Sequence, residues 1–318
     1  MFKFLQSLFS FIPSTSSYES KVFAQENKYA LYVESGESDD FKRYSELQEY
    51  LSGPTNLSKK ELKALKKEFK KLKKSDSVKT FFNLKRKYSK IFLEQDRWVS
   101  KFYEDFSKSE IDPRWLAAQE NKQLLHRQDY SPVNDLHIFS PNNVEQVGGM
   151  LKIKTKEELK DGLAWDQKFG MIPKKFKYTS GILTTSSSYK QLFGKFEAKI
   201  QVKQMPGTYH AFWMGTNSQI PHINVLKFEG NNLYVSAYSN KASINKKLKY
   251  KLKNEFYIFT LEWSREKLTW FINGKKVFET ANIIDESMYI AFSSGVYSNK
   301  ATSTTMYVDW VRCFRASY

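Results

Sequence analysis

Two patterns of apolar residues divide this chain. From Asp39 to Leu51, Phe41, Tyr44, Leu47 and Leu51 recur at the spacing that gathers side chains on one face of an α-helix, and Gly53-Pro54 stops the run. A second helix is predicted to start at Ser58-Lys-Lys-Glu61, a capping-box pattern, and to carry Leu62, Leu65, Phe69 and Leu72 on one stripe. A third, from Ser77 to Gln95, is more loosely periodic around Val78, Phe81, Phe82, Ile91 and Phe92. Further along, the period changes to two. Residues Leu183 to Thr185, Phe196 to Val202, Leu233 to Tyr238 and Ile258 to Trp263 are rich in β-branched and aromatic residues, with Gly, Asn, Ser and Lys clusters between them. Ile272-Asn-Gly-Lys275 predicts a hairpin, because Asn-Gly supplies the positive φ angles of a type I′ turn. Many short strands without alternating helices predict a mainly β fold, a two-sheet antiparallel jelly-roll sandwich with one concave face open, preceded by a small α-helical region. The expected layout is an N-terminal arm over 1–36, a basic helical region over 37–97 and the β-sandwich over 98–318.

Charge sharpens the helical part. The chain of 318 residues has a net charge of +17, and residues 59–90 alone hold 14 Lys or Arg against 3 Asp or Glu. Such clustering suggests nucleic acid, since cations release counterions when they meet phosphates. No nucleic-acid motif accompanies it, and a solvated face beside a packing stripe is the preferred reading. The stripe Leu62, Leu65, Phe69 and Leu72, with Lys66 and Lys70 beside it, is expected to meet the sandwich, another copy of the chain or a different protein subunit. The single cysteine, Cys313, excludes an internal disulfide, and the histidines at 126, 137, 210 and 222 lack metal-ligand spacing, so no metal or cofactor is expected. Met1 to Pro13 is apolar behind one lysine, but Gln6, Ser7 and Ser10 interrupt it, which favours an anchoring arm over a signal peptide. No run approaches the ~20 apolar residues of a membrane span.

Several blocks resemble glycoside hydrolase family 16, the laminarinase- and lichenase-like β-glycanases on a concanavalin A-like fold. They are Phe102-Tyr-Glu-Asp-Phe106 with Asp112-Pro-Arg-Trp115, Tyr178 to Thr185, Phe193 to Ile200, Pro206 to Met214, Phe256 to Trp263, Leu268 to Lys275 and Tyr307 to Arg312. The resemblance implies a cleft carrying Glu-x-Asp-x-x-Glu on one strand, with a β-bulge returning the third acid to the face of the first two. Two of those carboxylates would act as nucleophile and acid/base, ~5 Å apart for retention of configuration. Matched residue by residue, the nucleophile position is His222, the intervening Asp is Asn224 and the acid/base is Lys227. Neither His222 nor Lys227 replaces a carboxylate beside an oxocarbenium-like transition state, and an ammonium opposes its developing charge. Glu229, two residues beyond Lys227, shares its face in a regular strand and is the one rescue candidate.

The resemblance therefore implies a non-catalytic glycan-binding or structural protein, with Tyr209, His210, Trp213, His222, Asn224 and Lys227 expected to line the sugar groove. Phe212 and Trp213 must alternate, so one of them faces the core. An atypical hydrolase acting on a β-glucan or galactan is the alternative, and a nucleic-acid-contacting structural protein the second. The helical segment, with Tyr44-x-x-Leu47-x-x-Tyr50, is similar to parts that accompany such modules on phage virions. That likeness implies an extracellular, cell-surface or virion-associated protein held in an assembly by residues 1–97.

Overall fold

The computed structural model describes residues 11–54, 56–117, 130–218 and 220–317. The apolar segment 1–10 and His126 lie outside them. Two compact units emerge among the described residues: Ser16–Val99 with Ser317 form one, and Ser100–Ala316 with residues 11–15 form the other.

The helical unit holds α1 (Thr15–Glu37), α2 (Asp39–Ser52), α3 (Lys59–Leu72) and α4 (Asp76–Asp96). Its caps follow the sequence. The Ser38 hydroxyl accepts the Phe41 amide at 3.2 Å, and Ser58 and Glu61 close the expected capping box. Aromatic rings fill the interior, with Tyr32 stacked on Phe81 at 4.6 Å and on Phe92 at 4.8 Å. Helix α1 corrects the sequence reading, which left this stretch as an arm. The predicted stripe also finds its partner inside the unit: Leu62, Leu65, Phe69 and Leu72 are half-buried, and Phe69 stacks on Tyr44 of α2 at 4.8 Å. Lys66 and Lys70 are exposed.

The second unit is the sandwich. Its strands begin with β1 (Trp98–Glu104), β2 (Leu116–Ala117), β3 (Tyr130–Pro132), β4 (His137–Phe139), β5 (Val144–Gln146), β6 (Leu151–Asp166), β7 (Gly170–Ser180), β8 (Ile182–Thr184) and β9 (Gly194–Val202). They continue with β10 (Thr208–Gly215), β11 (His222–Glu229), β12 (Asn232–Tyr238), β13 (Ser243–Leu248), β14 (Tyr257–Trp263), β15 (Lys267–Ile272), β16 (Lys275–Ala281), β17 (Tyr289–Val296) and β18 (Thr304–Ala316). Among the described residues they form an 11-stranded sheet, with the path β16-β15-β14-β9-β18-β6-β7-β4, and a 7-stranded sheet in the order β13-β12-β11-β10-β17-β8-β2. Pairing is antiparallel except for two short parallel ladders, β3 on β6 and β4 on β7.

The core lies between the sheets. Phe196, Phe212, Met214, Leu226, Leu261 and Phe292 are fully buried there, and the Trp270 indole crosses to donate to the Asn224 carbonyl at 3.1 Å. The predicted Asn-Gly turn forms, with φ +46° at Asn273 and +71° at Gly274. Asn273 does more than turn the chain. Its amide donates to the Pro13 carbonyl at 2.7 Å and to Thr15 Oγ1 at 3.0 Å, while Lys275 Nζ donates to the Phe11 carbonyl at 2.6 Å. The segment Phe11–Thr15 is thereby strapped to the β15–β16 hairpin.

Candidate functional site

Strand β11 builds the site by alternation. Ile223, Val225, Leu226 and Phe228 join the core, while His222, Asn224, Lys227 and Glu229 take the outer face. Three residues separate Asn224 from Lys227, an odd spacing that a regular strand would send to opposite faces. The ladder steps from Asn224↔Ser236 to Lys227↔Tyr234, so Val225 and Leu226 together oppose Val235. This is the β-bulge that the spacing demands, and it returns Lys227 to the outer face.

A polar chain runs along that face. Asn224 Nδ2 donates to Ser236 Oγ at 2.7 Å, which leaves Asn224 Oδ1 as the acceptor, 3.1 Å from His222 Nε2. His222 therefore carries its proton on Nε2. Burial pushes its pKa below the ordinary histidine value, with the Lys227 charge adding to the effect and the Asn224 hydrogen bond opposing it. His222 is thus a neutral, directed hydrogen-bonding group.

Aromatic rings extend from it on both sides. Trp213 stacks on His222 with centroids 4.9 Å apart, Tyr289 meets Trp213 edge-on at 5.7 Å, and Tyr238 lies 6.2 Å beyond His222. The four rings span β17, β10, β11 and β12 in one row. Trp213 Nε1 donates to Ser293 Oγ at 3.0 Å, which holds the indole in place. Gly215 permits this posture, because a Cβ there would come within 2.8 Å of the Trp213 ring. Phe212, its neighbour, is fully buried and stacks on Phe292 at 4.9 Å.

A second cluster sits further along β10. Lys227 Nζ lies 2.6 Å from Glu229 Oε1 and 5.4 Å from the Tyr209 ring centroid. The Tyr209 hydroxyl is 3.4 Å from His137 Nε2, and His137 Nδ1 accepts the Val296 amide at 3.2 Å, so His137 is the donor to Tyr209. Burial pushes the His137 pKa down to about 4.

His210 is a correction. It is only 1% exposed and points between the sheets, with Nε2 3.4 Å from Thr304 Oγ1 and Nδ1 unpartnered. Burial pushes its pKa down to about 3. His210 and His222 therefore stand on opposite faces of the sheet and share no site. Among the described residues no three His, Cys, Asp or Glu side chains gather as metal ligands.

Some outer-face residues were not singled out from the sequence. Tyr234, Ser236 and Tyr238 were readable, since they alternate with the core residues Leu233, Val235 and Ala237 of a predicted strand. Tyr289 and Ser293 carried no such signal, because β17 is buried along its whole length.

The model for glycosyl hydrolases family 16 matches residues 137–312. Endo-1,3-1,4-beta-glycanase ExsH of Rhizobium meliloti is 23% identical over 235 residues, covering 68% of this chain and 47% of the relative. The clotting factor G alpha subunit of Tachypleus tridentatus is 25% identical over 218 residues, 57% of this chain and 30% of its own length. This chain thus spans about half the length of the first relative and less of the second. Among solved structures, the catalytic domain of an endo-1,3-beta-glucanase from Thermotoga petrophila superposes with a TM-score of 0.56 at 20% identity, over 70% of this chain and 99% of that one. The kappa-carrageenase of Pseudoalteromonas carrageenovora gives 0.53 at 20% identity, over 69% and 96%. Both are likenesses of fold.

Proposed function

The chain belongs to glycosyl hydrolase family 16, and from that premise we propose that it binds a glycan on the outer face of its seven-stranded sheet without cleaving it by the two-carboxylate route. One observation carries the reading. Strand β11 bulges between Asn224 and Lys227, its outer residues His222, Asn224 and Lys227 match in sequence the acids of the family's Glu-x-Asp-x-x-Glu pattern, and the carboxylate that follows, Glu229, is tied to Lys227 at 2.6 Å. Retaining hydrolysis needs a nucleophile and a proton donor flanking one bond, and this strand supplies neither as a free acid. The outer face does supply four aromatic rings in a row, Tyr289, Trp213, His222 and Tyr238 from four strands, with hydrogen-bonding groups between them, which suits the alternating apolar and hydroxylated surfaces of a sugar chain.

The test is paired. Laminarin, lichenan, agarose and carrageenan are offered to the full chain, and reducing-sugar release is measured beside binding on a glycan array. Binding that falls at least ~10-fold in Tyr238→Ala, without sugar release, supports the proposal. Release that disappears in Glu229→Gln overturns it in favour of an atypical hydrolase, a reading kept because Glu229 shares the outer face with His222. Restoring the acids with His222→Glu, Asn224→Asp and Lys227→Glu together is expected to produce β-glycanase activity.

We assign attachment in a larger assembly, a virion or a cell-surface complex, to the helical unit. Analytical ultracentrifugation showing a free monomer that captures no protein partner would remove that assignment.

A further inference from the structure

Helix α3 and the turn after it present nine lysines, at positions 59, 60, 63, 66, 67, 70, 71, 73 and 74, and all nine are exposed. None forms an ion pair with a described residue. The two acids of α3 are engaged elsewhere: Glu61 caps Ser58 with a hydrogen bond of 2.9 Å to its amide, and Glu68 receives Arg43 at 2.8 Å from α2. The lysine charge is therefore uncompensated. Many of these residues are three or four apart on the helix, a spacing at which like charges repel and weaken it. The apolar stripe, meanwhile, is half-buried within the helical unit, so what α3 offers to a partner is charge.

Charge density selects the partner. Sixteen residues at ~1.5 Å rise span ~24 Å, which gives one positive charge per ~2.7 Å of axis. A nucleic acid carries one negative charge per ~1.7 Å as a duplex and per ~3.4 Å along one strand, and the lysine face falls between the two. A polysaccharide with a single acid per sugar ring spaces its charges more widely and matches less well, whereas a polysulfated one is dense enough to be an arm of the test. Lysine also recognises phosphate as a point charge, without the bidentate geometry by which arginine reads guanine. We propose that the lysine face of α3 docks on the phosphate backbone of a nucleic acid, without regard to base sequence.

The experiment follows anisotropy of labelled mixed-sequence oligodeoxynucleotides, single- and double-stranded, against salt, using the full chain. Each phosphate contact contributes a slope of about −0.7 for single strands or about −0.9 for duplex in log K against log salt. The variant Lys63→Gln, Lys66→Gln, Lys67→Gln, Lys70→Gln is expected to flatten the slope by roughly 3 and to weaken low-salt binding at least ~10-fold. Lys66→Gln alone is expected to remove one contact's share. Glutamine keeps the helix propensity, and circular dichroism checks that the helices persist. Lys249→Gln with Lys251→Gln, exposed lysines of the sandwich, is expected to change neither slope nor affinity. Absence of binding at low salt, or binding indifferent to the four α3 substitutions, overturns the proposal. Tighter binding of a sulfated glycan at the same salt, lost in the same variant, overturns it too and reassigns the face to acidic polysaccharides.

Discussion

The two faces of strand β11 carry different kinds of side chain. On the inner face Ile223, Val225, Leu226 and Phe228 form an unbroken apolar surface, none more than 4% exposed. On the outer face stand four polar residues, His222, Asn224, Lys227 and Glu229, only the last of them an acid. Alternate residues of one strand thus answer to separate demands: packing governs one face, chemistry the other. The bulge belongs to both, because it keeps Leu226 in the core and Lys227 out of it. The core side of such a strand can therefore stay apolar whatever side chains its outer side carries.

Substitutions on the two faces should separate along the same line. The largest effect is expected from Phe228→Ala, which leaves a cavity among close-packed neighbours and costs about 3–5 kcal/mol by urea unfolding. Asn224→Ala comes next, at about 1–3 kcal/mol, because it strands the buried Ser236 hydroxyl and the His222 N–H without partners. That figure would show the outer face to be structural as well; a cost near zero would leave it to ligand alone.

Acid should probe both faces together. His137, His210 and His222 all have folded pKa values below the unfolded histidine value, so the unfolded chain binds protons first as pH falls below ~6.5. Stability is full above that pH and declines beneath it, by up to about 1.4 kcal/mol per pH unit for His137, down to about pH 4. His137→Gln is expected to flatten part of that slope in urea titrations between pH 4 and 6.5. The smallest change belongs to Lys227→Met. Its half-exposed ion pair with Glu229 contributes about 0.2–1 kcal/mol, so stability barely moves while any glycan affinity that depends on this charge falls.

Much of this was legible in the chain because a period-two pattern survives wherever a strand has one buried face. The strand at Leu233 to Tyr238 was readable in this way, the Asn273-Gly274 turn from its residue types, and the bulge after Asn224 from the family resemblance. His210 was misplaced for want of the same rule: Tyr209 and Trp213, four apart, share the outer face, and the residues at 210, 212 and 214 must oppose them. Helix α1 escaped for a different reason. Tyr18, Val22, Tyr29 and Tyr32 are half-buried on it, yet Phe23, Leu31 and Val33 are exposed, so no clean stripe marks it. The capping of Ser58 by Glu61 was legible in the sequence, but the pairing of Glu68 depended on Arg43 from another helix and could not be read from α3 alone.

The strap of Phe11–Thr15 on Asn273 and Lys275 changes what kind of appendage the helices are. The chain leaves the sandwich at Thr15 and re-enters it at Ser100, so the helical unit is an inserted loop rooted at both ends. A protease cut between α2 and α3 would make two polypeptides, and each would keep its own root in the sandwich. The first of those pieces would hold its root by the hydrogen bonds of Pro13 and Thr15 to Asn273, of Phe11 to Lys275 and of Thr15 to the Phe256 carbonyl.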